Sequence, residues 1–375
     1  MFEKLVSLLD SFPEQFVPGY DCVVYHKGKQ VFRRFGGVSS LETGKPVDGT
    51  EQYFIYSCSK PITAAVGMLC LERGLFQLDE SICKYLPEFT DMTVIDGDII
   101  RPAKRPLTVK DLFCMTGGFS YDAHSPQLDL CRRELPRCAS TRDVMKYLAR
   151  EPLLFDPGDR WEYSFGHDVL VALIEVVTGE DFDNFARKNV FEPLGMDSTT
   201  YLLPSDVSRI AEQYVYHPDT KSFENCGKTI LDFASFGPGY ESGGAGCISS
   251  VNDCIRFLEA LRTGESILKR DTVKQMTTNQ LTPEQSKTYW MPGYGYGLGV
   301  KCSVGNPGCG DYGWGGMAGA LMSVDPANEL SMFFVQHVLF ADNNVQRYQI
   351  YPLILEELGL NANHSEGEGK PNFYV

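Results

Sequence analysis

Residues 53–74 read YFIYSCSKPITAAVGMLCLERG. The stretch is apolar, turns polar from Ser57 to Lys60, and is then apolar again. Residues 53–56 read as a short strand. The rest reads as a helix, with Pro61 just inside its start and Gly74 just beyond its end. Apolar residues cover most of the circumference of this helix, which predicts a central, buried position. A Ser-x-x-Lys is thereby placed where a strand enters a buried helix.

That placement has chemical content. Residues three apart in a first helical turn share a face, so Lys60 lies beside Ser57. Helix N-termini expose unpaired N–H groups and partial positive charge, which favour an alkoxide and make it harder for Lys60 to keep its proton. Neutrality of a lysine at pH 7 needs a drop of roughly three pH units, about 4 kcal/mol, and burial supplies shifts of that size. A neutral Lys60 could take the Ser57 proton. The plainer reading is that Ser57 caps the helix while Lys60 reaches out to water. Ser-x-x-Lys occurs three times, at Ser57, Ser81 and Ser266, and roughly one or two hits are expected by chance. Ser81 falls in an acidic segment and Ser266 in a polar loop, so only Ser57 has a strand before it and an apolar helix after it.

Outward from this stretch, residues 2–12 carry Phe2, Leu5, Val6, Leu8, Leu9 and Phe12 at helical spacing. Two β-rich runs around HKGK predict a hairpin turned at Gly28. Residues 78–89 read as a short helix closed by Pro87, and Asp96-Gly97 marks a second hairpin. Helices follow, capped at Thr108 and ended by Gly117-Gly118, starting at Thr141, divided at Gly179 and ended by Pro193, and capped at Ser249 or Ser250 and closed by Gly264. From Tyr294 the texture becomes strands with tight turns, and residues 344–359 form a last helix. Strands from both ends bracketing a helical middle predict an α+β fold, one antiparallel sheet with helices on its faces. The division expected is an α/β part over about 1–75 and 286–375 and a helical part over about 76–285. The tail NANHSEGEGKPN is polar and biased.

The 375 residues are 43% hydrophobic and 22% charged, with a net charge of -15. This composition predicts a folded chain. It lacks the basic patch that phosphate binding needs, so nucleic acid is not an expected partner. No apolar run is long enough for a membrane span. The N-terminal apolar run is too short for a secretory signal. Twelve cysteines without a C-x-x-C pair predict buried free thiols in a reducing, cytoplasmic compartment. His26, His124, His217, His337 and His364 are scattered without zinc spacing, so no metal or other cofactor is expected. There is no G-x-S-x-G elbow. GNPGCG lacks the Lys-Ser/Thr of a phosphate loop. The oligomeric state is not legible.

The Ser57 segment resembles the S-x-x-K of the serine β-lactamase and penicillin-binding protein family, in its class C and esterase branch. GLFQLDESICKYLPEF, RPLTVKDLFCMTGGF, FDPGDRWEYSFGHDVLVALIEVVTG, FEPLGMDSTTY and GGAGCISSVNDCIRFLEAL resemble further segments of that family, in order, over roughly residues 20 to 340. The resemblance implies the β-lactamase/transpeptidase-like fold. It also implies Ser57 as nucleophile, Lys60 as its base partner and Tyr163, from the family's Y-x-N, as a phenol that moves a proton. WGG at Trp314, Gly315 and Gly316 matches the family's K-T-G strand, where the glycines would let substrate approach the backbone. The N–H groups of Ser57 and Met317 would form the oxyanion hole.

The departures are as informative. Phe165 stands where the family has the Asn of Y-x-N, and Trp314 where it has a cationic Lys. Both positions are expected at the substrate, yet Phe cannot read an amide and Trp lacks the cation that meets a carboxylate. This favours a carboxylesterase-like serine hydrolase over a weak β-lactamase or D-amino-acid peptidase. Acyl transfer from a thioester and a catalytically inactive ligand-binding protein are the other readings. Ser250-Val251-Asn252 and Arg262-Thr263-Gly264 imitate family motifs, but capping explains both. His167, one turn after Tyr163, is expected to be structural. Tyr294, Tyr296, Tyr312 and Trp314 either line an acyl pocket or pack the sheet.

Overall fold

The computed structural model describes residues 2–135, 139–229, 236–304 and 310–360. The seven strands of its main sheet run, edge to edge, Lys29–Gly37, Gly19–His26, Leu330–Gln336, Leu321–Asp325, Tyr312–Gly315, Lys301–Ser303 and Tyr294–Tyr296. All neighbours are antiparallel. Both ends of the chain therefore build one sheet, joined where Tyr20 pairs with Gln336 and His26 with Leu330. Leu330–Gln336 is buried along its whole length, as a continuous apolar run in a central strand must be.

Alternation along the strands divides two cores. Cys22, Val24, Met332 and Phe334 face the terminal helices, packing on Leu5, Leu9, Ile350 and Ile354. Val23, Phe333 and Val335 face the other way, into a larger core with Ile62, Val66, Leu170, Cys254 and Leu258. The helix Val251–Thr263 lies directly on Gly19–His26, Leu321–Asp325 and Leu330–Gln336. The helix Ser59–Glu72 is buried from Ser59 to Cys70. It runs so close to its neighbour that a Cβ on Gly67 would stand 2.7 Å from Phe113.

Several sequence expectations are corrected. Residues 78–89 form two 3-10 turns, Ile82–Lys84 and Pro87–Phe89, and not a helix. Pro87 forces Leu86 out of the helical region, to φ -122° and ψ 79°. The helix Val109–Cys114 ends at Met115, itself left-handed at φ 57°, before Gly117 is reached. Pro193 does not end its helix. A π-helical stretch, Arg187–Phe191, precedes it, and the turn Glu192–Leu194 carries on to Gly195. The middle of the chain is also less helical than expected. Ile248–Ser250 is a strand that pairs with Gln52–Phe54, and a hairpin, Tyr214–His217 with Ser222–Asn225, pairs with Val338–Leu339. The polar tail and most of the Gly-rich run at 305–310 lie outside the described residues.

Candidate active site

The site begins where Gln52–Phe54 hands over to the 3-10 turn Tyr56–Cys58 and then to the helix Ser59–Glu72. Tyr56 has φ 47°, a left-handed conformation that a bulky residue adopts only under constraint. Burial and a 2.7 Å hydrogen bond from its hydroxyl to Gln213 Oε1 supply that constraint. Ser59 fixes the other side of the turn. Its hydroxyl donates to the Tyr56 carbonyl at 2.5 Å and accepts from the Cys247 N–H at 2.9 Å. Ser57 remains half-buried. Among the described residues no side chain, Ser57 included, caps the helix, so the capping reading does not hold.

Lys60 is fully buried and does not reach water. Its Nζ lies 2.8 Å from the Gly244 carbonyl, 3.3 Å from Tyr121 Oη and 3.4 Å from Ser57 Oγ. Burial is the main cause that pushes this amine down from its ordinary 10.5 to about 7, against a smaller opposing pull from the Asp168 charge. Tyr163 Oη donates to Ser57 Oγ at 2.5 Å, and its ring lies 4.2 Å from Lys60 Nζ. Burial raises the Tyr163 phenol well above its usual range. The serine oxygen thus faces an amine that gives up its proton near neutrality and a phenol that keeps its own. The first can accept a proton and the second can donate one.

Residues 57, 60 and 163 are brought together as the sequence predicts; Phe165 is not part of their surface. It is fully buried in the main core and packs behind the Tyr121 ring, centroids 4.9 Å apart. Its backbone starts the helix Gly166–Thr178, which turns the apolar ring inward. Trp314 is nearly buried too. It stacks on Tyr163, with centroids 6.0 Å apart and planes within 5°. Tyr296 and Tyr312 are buried, and Tyr294 gives its hydroxyl to Asp311 at 2.7 Å. The aromatics of these strands therefore pack the sheet and hold Tyr163. Gly315 is half-exposed and Met317 exposed beside it. Gly316 is glycine for packing, since a Cβ there would lie 2.3 Å from the Ile55 carbonyl. His167 is buried and pushed down to about 3, mainly by burial, so it stays neutral.

Three neighbours of Lys60 escape sequence reading. Tyr121 and Gly244 touch its amine. Asp168 lies behind them, buried, its Oδ1 accepting from Tyr240 at 2.9 Å and Ser242 at 2.7 Å. A carboxylate inside the apolar run GHDVLVALI was the available signal for Asp168. Tyr121 carried none.

The Beta-lactamase family model matches residues 5–350, and the chain belongs to that family. It is 29% identical to esterase EstB of Burkholderia gladioli, over 87% of this chain and 88% of that one. It is 26% identical to the lovastatin esterase of Penicillium rubens, over 72% of this chain and 70% of that one. Among solved structures, that of EstCE1, a hydrolase with promiscuous acyltransferase activity, superposes with a TM-score of 0.79. It shares 24% identity and covers 94% of this chain and 97% of that one, which establishes the β-lactamase/transpeptidase-like α+β fold.

Proposed function

We propose that this chain is a serine hydrolase that cleaves small-molecule esters through an acyl-enzyme on Ser57. One observation carries the reading: Ser57 Oγ sits between an amine displaced down to about 7 and a phenol displaced upward. Lys60 takes the Ser57 proton as Oγ attacks the ester carbonyl. The Tyr163 O–H protonates the departing alkoxide, and the ammonium of Lys60 returns a proton to the phenolate. Water then attacks the acyl-enzyme by the reverse route. Backbone N–H groups of Ser57 and Met317 receive the oxyanion.

The ester class is supported by two relatives, named an esterase and a lovastatin esterase. It is also supported by the chemistry at the 314 position, where a stacked indole stands in place of a cation and offers a carboxylate no positive charge. The ten described cysteines are free thiols, which supports a cytoplasmic setting. The test is intact-protein mass spectrometry after brief exposure to p-nitrophenyl esters and to β-lactams, with Ser57→Ala as control. Esters should add one acyl group to the native chain and none to S57A. Acylation by β-lactams alone would replace the esterase reading by the β-lactamase one, and acylation by neither would leave a binding protein.

A further inference from the structure

We propose that Tyr121 is the positioning residue that aims the lone pair of Lys60 at Ser57, a reading that rests on the acyl-enzyme mechanism above. A neutral amine has two N–H bonds and one lone pair. Among the described residues Lys60 Nζ has three hydrogen-bonding oxygen partners: the Gly244 carbonyl at 2.8 Å, Tyr121 Oη at 3.3 Å and Ser57 Oγ at 3.4 Å. The carbonyl can only accept. If Tyr121 Oη accepts the second N–H, both N–H bonds are spent and the lone pair faces Ser57. Tyr163 already donates to Ser57 Oγ, so the serine's own hydrogen is free to point at that lone pair. Without Tyr121 the amine turns about its Cε–Nζ bond, and only a fraction of its orientations can accept the proton.

The surroundings hold this arrangement. The Tyr121 ring meets Tyr163 edge-on at 4.9 Å and Phe165 at 4.9 Å, which accounts for an apolar residue at position 165. Opposite the phenol, position 244 admits no side chain. A Cβ there would stand 2.8 Å from Asp168 Oδ2, 3.0 Å from Tyr121 Oη and 3.3 Å from Lys60 Nζ. When Oγ attacks, the Ser57 O–H bond breaks and its proton joins the lone pair of Lys60. The electron pair left on Oγ forms the bond to the acyl carbon. The new ammonium keeps Gly244 and Tyr121 as acceptors, with the Tyr121 ring 4.9 Å from the charge.

The experiment is the rate of Ser57 labelling by a fluorophosphonate across pH, for the native chain and Tyr121→Phe, read by intact mass. The native rate should rise through an inflection near 7. In Y121F the plateau should fall ~10-fold, equivalent to about 1.4 kcal/mol, and the inflection should move to lower pH, because the ammonium has lost an acceptor. Mere loosening of the site would admit water and move the inflection upward, toward an ordinary lysine. An unchanged plateau, or an inflection that stays or rises, overturns the proposal. If Y121F does not fold, Gly244→Ala, which pushes the same phenol and amine apart, should show the plateau loss, and native-like labelling there overturns it equally. Absence of labelling in the native chain would instead remove the Ser57 mechanism itself, and this proposal with it.

Discussion

Replacing Lys60 by methionine should make this protein more stable and inactive at once. The amine is fully buried and displaced from 10.5 to about 7. Between those two pH values the unfolded chain binds a proton at this residue that the folded chain does not. Stability therefore falls as pH drops from 10.5 to about 7, and the loss is complete below that. At 1.36 kcal/mol per pH unit the penalty amounts to ~5 kcal/mol at neutral pH. Methionine fills similar space without a charge, but it leaves the Gly244 carbonyl without its donor, which costs about 1–3 kcal/mol. The net expectation for Lys60→Met is a gain of about 3 kcal/mol at pH 7, or roughly 4 °C in Tm, with Ser57 labelling abolished. Urea denaturation at pH 7 and pH 10 measures it. The advantage of the variant should be largest at pH 7 and shrink or reverse at pH 10, where the native lysine folds neutral with little penalty. A variant less stable than native at pH 7, or a difference that does not change with pH, would refute the claim that folding works against the charge of Lys60.

Tyr163→Phe should separate leaving groups. Its ring still stacks on Trp314, so the melting temperature should hold. Hydrolysis of alkyl esters should fall ~10²-fold or more, while p-nitrophenyl esters, whose leaving group needs no proton, should lose far less. Equal losses for both would show that the phenol is not the proton donor. Phe165→Asn should not create an amide-reading site. Position 165 is sealed in the core, so the variant should lose about 3 kcal/mol or more from lost packing and a buried amide, seen as a lower urea midpoint. Unchanged stability would mean that the ring is not confined there.

The cooperation of Asp168, Gly244 and Tyr121 around one amine also bears on stability. Asp168 is raised above the usual carboxylate range, chiefly by burial, and two hydroxyl donors oppose that. Burying a carboxyl and an amine close together stabilises the fold little, because desolvation offsets much of their attraction. Such an arrangement belongs to a site whose energy is held for chemistry, in keeping with the left-handed Tyr56 beside it.

The sequence by itself determined what depends on neighbours along the chain. Strand and helix periodicity placed both chain ends in one sheet, and helical spacing put Lys60 one turn from Ser57. The run of apolar residues after it predicted a buried helix. Local signals failed where short elements were decided by packing, as in the 3-10 turns around Pro87 and the strand Ile248–Ser250, formed only by pairing with Gln52–Phe54. The rest was decided by contacts between residues far apart in sequence. Tyr163 reaches Ser57 across 106 positions, and Gly244 reaches Lys60 across 184. Only the tertiary structure turned Phe165 away from the pocket and set Tyr121 against the amine. The direction of a side chain and the dryness of a lysine are properties of the whole packed interior, which no short stretch of sequence contains.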